Sequence, residues 1–263
     1  MTAHAISYKE YYSYSGVLEA LSGMPFNVEF ISFDDLLNDP SILEGPGVII
    51  NVGEAYDAFS GGEYWNNPEI VTKIREYVDA GNGFIGIGEP SAYQKEGKYF
   101  QLFDVLGVDK ELGFTLSTNK YNWDTQTHPL LEGLSTELNL AEEMKNTYAL
   151  PDTQVLDIKN RNVRISVNQY GKGQSVYLSG LPFSFENARL LYRSIFYAAG
   201  KLDEIKTWYS ENYNLEVNVY PSTNSFCVVN NTYEPQSSTI YKGDGSSFEV
   251  NLDESEIKWF EID

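Results

Sequence analysis

Hydrophobic positions in the first two hundred residues switch repeatedly between two periods. Tyr14, Val17, Leu18 and Leu21 recur at helical spacing, and Gly23 with Pro25 stops the run. Val28 to Ser32 (VEFIS) then reads as a strand, Asp34 to Asn38 as a short helical piece, and Gly47 to Val52 (GVIINV) as a second, buried strand. Asn67-Pro68 opens a helix with Ile70, Ile74 and Val78 on its inner face and Gly81 at its end. The next stretch is GFIGIGEPSAY, Gly83 to Tyr93: a buried strand (Phe84, Ile85, Ile87) running into a turn at Gly86, Gly88, Glu89 and Pro90. Lys98 to Leu106 reads as a helix, and Gly107 to Trp123 as an irregular or β segment rich in Tyr, Asn and Thr. Val155 to Ile158, Val163 to Gln169 and Gln174 to Leu178 are strands, the last two joined by the tight turn Tyr170-Gly171-Lys172-Gly173. Ser184 is a good N-cap for a helix from Phe185 to Ala199 that turns Leu191, Ile195 and Ala198 inward and stops at Gly200.

Helix and strand in alternation predict an α/β fold, a parallel sheet covered by helices. The opening helix should then be the crossover from an earlier strand, and only the weak run Ala3 to Ser7 precedes it. Beyond residue 215 the period falls to two. Glu216 to Tyr220, Phe226 to Val229, Ser238 to Tyr241 and Phe248 to Leu252 alternate like strands, and Asp244-Gly245 is a hairpin signal. The expected organisation is an α/β domain over 1–215 and a small antiparallel β domain over 216–263, too short to stand without packing on something.

Composition narrows the function. With 42% hydrophobic and 14% aromatic residues, 20 of them Tyr, the chain is a folding one. The net charge of −20, from 38 acidic and 18 basic residues, argues against nucleic acid or an anionic membrane as partner. No apolar run approaches the roughly 18–20 residues of a membrane helix, and Met1 to His4 lacks a signal-peptide pattern; the expected location is cytoplasmic. Cys227 is the only cysteine, so neither an internal disulfide nor a cysteine metal cluster forms. His4 and His128 are the only histidines, and a zinc site would have to lean on carboxylates. Asn230-Asn231-Thr232 matches a glycosylation sequon, incidental in a cytoplasmic protein.

Candidate chemistry gathers where strands end, because ligands of open α/β sheets bind outside the carboxyl ends of the strands. At Gly88-Glu89-Pro90-Ser91 the turn has the place of a nucleophile elbow, but the tip is Glu89; Ser91 follows proline, and His128 is its only available base. Glu89 either binds a polar partner or caps the next segment. The loop NVGEAYDAFSGGEYW, Asn51 to Trp65, also leaves a strand end. Its Asn51, Gly53, Glu54, Asp57, Ser60, Gly61 and Gly62 suit hydrogen bonding to a sugar, with Tyr56, Phe59 or Trp65 stacking, or equally an interface with a neighbouring domain. Lys120 to Asp124, with Tyr121 and Asn122, has the composition of a sugar-binding surface or of an interface. Asp34-Asp35 and Glu142-Glu143 read as solvated helix faces.

Four long stretches resemble one family. GFIGIGEPSAY, KYFQLFDVLGVDKELGFTLSTNKYNW (Lys98 to Trp123), GKGQSVYLSGLPFSFENARLLYR (Gly171 to Arg193) and VVNNTYEPQSSTIYKGDG (Val228 to Gly245) are similar to the 1,3-β-galactosyl-N-acetylhexosamine phosphorylases, also called lacto-N-biose phosphorylases. YSGVLEALSG and INVGEA fit the same pattern, so the resemblance covers nearly the whole chain. It implies an amidotransferase-like (flavodoxin-like) α/β domain followed by a small β domain, with an N-terminal (β/α)-barrel and its catalytic acid missing. The family reaction is inverting phosphorolysis of a β-galactoside to α-D-galactose 1-phosphate, releasing an N-acetylhexosamine or, in relatives, rhamnose, with no metal or organic cofactor. The expectation is a fragment that does not catalyse by itself. Its partner is the absent barrel, it meets galactoside and phosphate through that barrel, and a homo-oligomer is possible. The two rivals are a stand-alone carbohydrate-binding or oligomerisation module and an amidotransferase-like hydrolase using Ser91.

Overall fold

The computed structural model describes residues 13–55, 60–112, 123–140 and 144–262. Two compact units divide at Gly200/Lys201. In the first, α1 (Ser13–Ser22) is followed by α2 (Phe33–Asn38), whose Ser32 cap and Asp35 close a capping box. Asp35 therefore has a capping role beyond the solvated face expected of it. Strand β1 (Val48–Gly53) leads to α3 (Pro68–Asp79), capped by the Asn67 side chain and started by Pro68 as its sequence requires. Strand β2 (Gly83–Gly88) is wholly buried. A hairpin, β3 (Ala92–Lys95) and β4 (Lys98–Phe100), turns on Glu96 and Gly97, both with positive φ. Then come α4 (Phe103–Leu106), β5 (Val108–Lys110), β6 (Thr147–Ala149), β7 (Gln154–Lys159), β8 (Asn162–Tyr170), β9 (Gly173–Leu178) and α5 (Phe185–Ala198).

The central sheet has the order β1-β2-β9-β8-β7. Strands β1, β2 and β9 are parallel, while β8 runs antiparallel to both of its neighbours, β9 and β7, so the sheet is mixed rather than parallel. The cause is local: the short turn Gly171-Lys172 can only join antiparallel neighbours. Alternation along the strands divides the core between two faces. Phe84 and Tyr177 pack with Ile70, Ile74 and Val78 of α3, whereas Ile85, Ile87, Val176 and Leu178 pack with Val17 and Ala20 of α1 and Leu190 and Leu191 of α5.

Two expected elements are absent. Val28 to Ser32 has no regular structure, and Phe30 is 74% exposed; an alternating run becomes a strand only when another strand pairs with it. Lys98 to Leu106 is not one helix but β4 and a single turn of α4, which Gly107 ends in the left-handed region.

The second unit contains β10 (Tyr209–Ser210), β11 (Leu215–Tyr220), β12 (Ser225–Asn230), β13 (Gln236–Tyr241), β14 (Ser247–Leu252) and β15 (Ile257–Glu261). They form two antiparallel sheets, β10-β13-β14 and β11-β12-β15, around Leu215, Phe226, Val228, Ile240, Val250 and Leu252. The boundary falls before the expected residue 215 because Tyr209 and Ser210 pair with Tyr241 and Ile240, and Trp208 packs on Phe226 at 4.8 Å. Asn230 of the sequon is buried, its amide donating to Glu234 O and Asp253 O.

Candidate functional site

Strands β1 and β2 run in register and end together at Gly53 and Gly88. Gly88 has φ +80°, and a Cβ there would lie 2.7 Å from Gly53 O, so only glycine fits. The next residue completes the joint: Glu89 N–H donates to Gly53 O at 2.9 Å. Ser91 then takes φ 53°, a left-handed conformation that carries roughly 1–2 kcal/mol of strain in a non-glycine residue. Three bonds hold it there. Ser91 N–H donates to Asn51 Oδ1 (2.9 Å), its Oγ accepts Leu102 N–H (3.1 Å), and its carbonyl accepts Gln101 N–H (2.9 Å). The strand-end turn is thus a strained elbow, as its sequence suggested.

Its chemistry is that of a clasp. Glu89 Oε2 accepts Ala55 N–H at 2.9 Å, and Oε1 accepts the Tyr99 hydroxyl at 3.2 Å and pairs with Lys110 Nζ. The Glu89 and Lys110 side chains are only 12% and 16% exposed. Lys110 Nζ also lies 3.6 Å from Met144 Sδ and 5.1 Å from the Tyr99 ring centre. Beneath the turn the Tyr177 hydroxyl donates to Gly88 O at 3.3 Å. Burial, and then the charge of Glu89, raises Tyr177 far above the ordinary phenol range. Glu89 thereby ties the exit of β1 to the β3–β4 hairpin and to β5.

A second buried carboxylate holds those partners. Asp109 is 1% exposed; Oδ1 accepts the backbone N–H groups of Tyr99 (3.1 Å), Phe100 (3.0 Å) and Lys110 (2.8 Å), and Oδ2 accepts the Tyr148 hydroxyl (3.2 Å). Asp109, Lys110, Tyr99 and Tyr177 were missed by the sequence reading. Their only signal is an isolated acidic residue between Val108 and Lys110, which pattern alone does not separate from a solvated position.

The loop residues divide by depth. Asn51 and Ser60 are buried, Asn51 Nδ2 donating to Ser60 O (3.0 Å), Ser60 Oγ to Glu54 O (2.6 Å) and Trp65 Nε1 to Ser60 O (2.5 Å). Gly61 has φ +108°, and a Cβ would meet the Phe33 ring at 2.4 Å. Gly53, Gly62, Pro90 and Ser91 are buried too, whereas Glu54 is exposed. Asn51, Ser60, Gly61 and Ser91 therefore brace the loop, and Glu54 faces solvent. Tyr56, Asp57, Phe59, Tyr121 and Asn122 lie outside the described residues; Trp123 packs half-buried against the α3 face of the core.

Ser91 and His128 are not brought together. Ser91 bonds Leu102 in the core of the α3 face, whereas His128 Nδ1 accepts Leu130 N–H (3.2 Å) and its ring meets Tyr197 of α5 at 5.2 Å, on the other side of the sheet. Partial burial lowers the His128 pKa below its ordinary value. Elsewhere, Asp157 and Arg164 pair at 3.2 Å beside a cleft of about 430 Å³ that Asn139 and Ser179 also line. Burial raises the Asp157 carboxyl, and the Arg164 charge opposes it.

The described residues thus form a mixed α/β unit, with an elbow that carries an anchored glutamate, and a separate antiparallel β unit. The lacto-N-biose phosphorylase central domain family matches residues 1–203, and the lacto-N-biose phosphorylase C-terminal domain family matches residues 208–260. The chain belongs to the lacto-N-biose phosphorylase family. It is 55% identical over 260 residues to the 1,3-β-galactosyl-N-acetylhexosamine phosphorylase Cphy3030 of Lachnoclostridium phytofermentans, covering 99% of this chain and 36% of that protein. The 1,3-β-galactosyl-N-acetylhexosamine phosphorylase of Bifidobacterium longum subsp. longum is 39% identical, over 98% of this chain and 39% of its own. The chain thus spans little more than a third of these relatives. Among solved structures, a β-galactosidase from Rahnella sp. R3 aligns with 94% of this chain and 36% of its own at 16% identity and a TM-score of 0.49, a likeness too low to argue from. Among the described residues no helix is long and apolar enough to cross a membrane.

Proposed function

We propose that this chain forms the central and C-terminal domains of an inverting β-galactoside phosphorylase and supplies no catalytic group itself. In that reaction a phosphate oxygen attacks the anomeric carbon, the bond to the leaving sugar oxygen breaks, and a carboxylic acid protonates that oxygen. The acid and most of the sugar pocket belong to an N-terminal (β/α)-barrel, which is the partner of this chain, and galactoside and phosphate are met through it. The observation that carries this reading is the state of Glu89. At the elbow after β2 the carboxylate is occupied by Ala55 N–H, Tyr99 and Lys110, and His128, the histidine among the described residues, lies on the opposite side of the sheet from Ser91. The turn Gly88 to Ser91 and the loop Asn51 to Gly62 then brace the face presented to the barrel. An amidotransferase-like descent of the α/β unit is supported by the elbow geometry after β2, with φ 53° at Ser91.

The purified chain, given lacto-N-biose and phosphate, is expected to release no galactose 1-phosphate above a blank without protein. Sustained release that is lost in Glu89→Gln would overturn the proposal.

A further inference from the structure

The β11-β12-β15 sheet of the second unit buries one face and leaves the other to solvent. Alternation and register place three rows on the outer face: Glu216, Val229 and Ile257; Asn218, Cys227 and Trp259; Tyr220, Ser225 and Glu261. The middle column is small, and Cys227, between Asn218 and Trp259 in its row, is 3% exposed. Tyr220 and Trp259 lie 5.4 Å apart, centre to centre, tilted by 32°, and are 42% and 60% exposed. The Tyr220 side chain also hydrogen-bonds the Cys227 thiol, and Asn231 Nδ2 donates to Glu216 Oε2 at 3.1 Å, so both a ring and a carboxylate are held in place.

The unit's core is complete without this face, since Phe226, Val228 and Phe260 point to the opposite side. Charge and area narrow what covers the platform. The face carries two carboxylates, Glu216 and Glu261, and no lysine or arginine, which repels nucleic acid and phosphorylated ligands. The exposed apolar side chains are Tyr220, Ile257 and Trp259. Even if wholly covered, two aromatics bury about 150–250 Å² each, well under the roughly 800 Å² per partner of a stable protein interface. A neutral ring with C–H groups on one face and hydroxyls at its edge suits the geometry: the C–H face lies on the aromatic rings, and the hydroxyls donate to carboxylates and to the Asn218 amide.

We infer that the Tyr220–Trp259 platform is a binding site for a neutral pyranoside, at the level of one or two sugar rings. The site is built wholly from strands of the second unit and does not rest on the phosphorolysis reading.

The test is saturation-transfer NMR and calorimetry on the whole chain with methyl β-D-galactopyranoside and with N-acetyl-D-glucosamine, titrated into the tens of millimolar range appropriate to a Kd of about 1–10 mM. At least one sugar is expected to bind saturably. Trp259→Ala should weaken it roughly tenfold or more, Trp259→Phe should restore part of the loss, and Tyr233→Ala, exposed but off the face, should leave it unchanged. Flat titrations with both sugars overturn the inference. So does saturable binding indifferent to Trp259→Ala, or concentration-dependent self-association in sedimentation that Trp259→Ala abolishes, which would make the face a protein interface.

Discussion

Glu89 is the residue on which the reading of this chain turns. A carboxylate at the tip of an elbow invites a catalytic assignment, yet two oxygens that serve a backbone amide, a phenol and an ammonium leave nothing directed at a ligand. Its replacement is therefore a stability experiment. Glu89→Gln leaves Lys110, largely buried, without its counter-charge and should lower stability by about 1–3 kcal/mol in urea unfolding. A midpoint unchanged from wild type would remove the clasp. His128 makes a second residue-scale prediction. Burial sets its folded-state pKa below the ordinary value of 6.5, so the stability linked to it is fully present above that value and is lost as pH falls through the folded pKa. The urea midpoint should decline below pH 6.5, and His128→Asn, which keeps an acceptor for Leu130 N–H, should flatten that part of the decline. Equal slopes for the two proteins would show that another group controls the acid limb.

Among the elements, helices with local signals behave as their sequences predict. The inward stripe Ile70, Ile74 and Val78 of α3 is buried, with Asn67 as cap. Ile74→Ala should cost about 2–5 kcal/mol, whereas Thr72→Ala on the exposed face should stay within about 0.5 kcal/mol. Equal losses at the two positions would contradict the assigned face. Strands were legible only where pairing could be inferred. VEFIS has the composition of a strand, but composition does not supply a neighbour, and the helically spaced aromatics of Lys98 to Leu106 concealed β4, the second arm of the hairpin that turns at Glu96-Gly97. The last strand, β15, escaped notice because Ile257 and Trp259 are outward and its inward residue Phe260 stands among charges. At the candidate site, Gly88 and Glu89 were visible as a turn. The partners that give Glu89 its meaning, Tyr99 and Lys110, come from elements whose placement depends on the fold.

For the whole molecule, a net charge of −20 is a source of self-repulsion that salt should relieve. Raising ionic strength from about 0.01 M to about 0.15 M shortens the Debye length from about 30 to 8 Å, and the melting temperature should rise. A fall would mean that attractive pairs such as Arg75–Asp104 and Arg164–Asp157 outweigh the repulsion. By the proposal above, this chain is the scaffold portion of a phosphorylase. The most direct test of it exchanges the matched portion of the Lachnoclostridium phytofermentans enzyme, at 55% identity, for this chain. The chimera, assayed with lacto-N-biose and phosphate beside the chain alone, is expected to form galactose 1-phosphate within about tenfold of its parent, a difference of about 1.4 kcal/mol, while the isolated chain forms none. A folded chimera without activity, or an isolated chain that turns over, would contradict it.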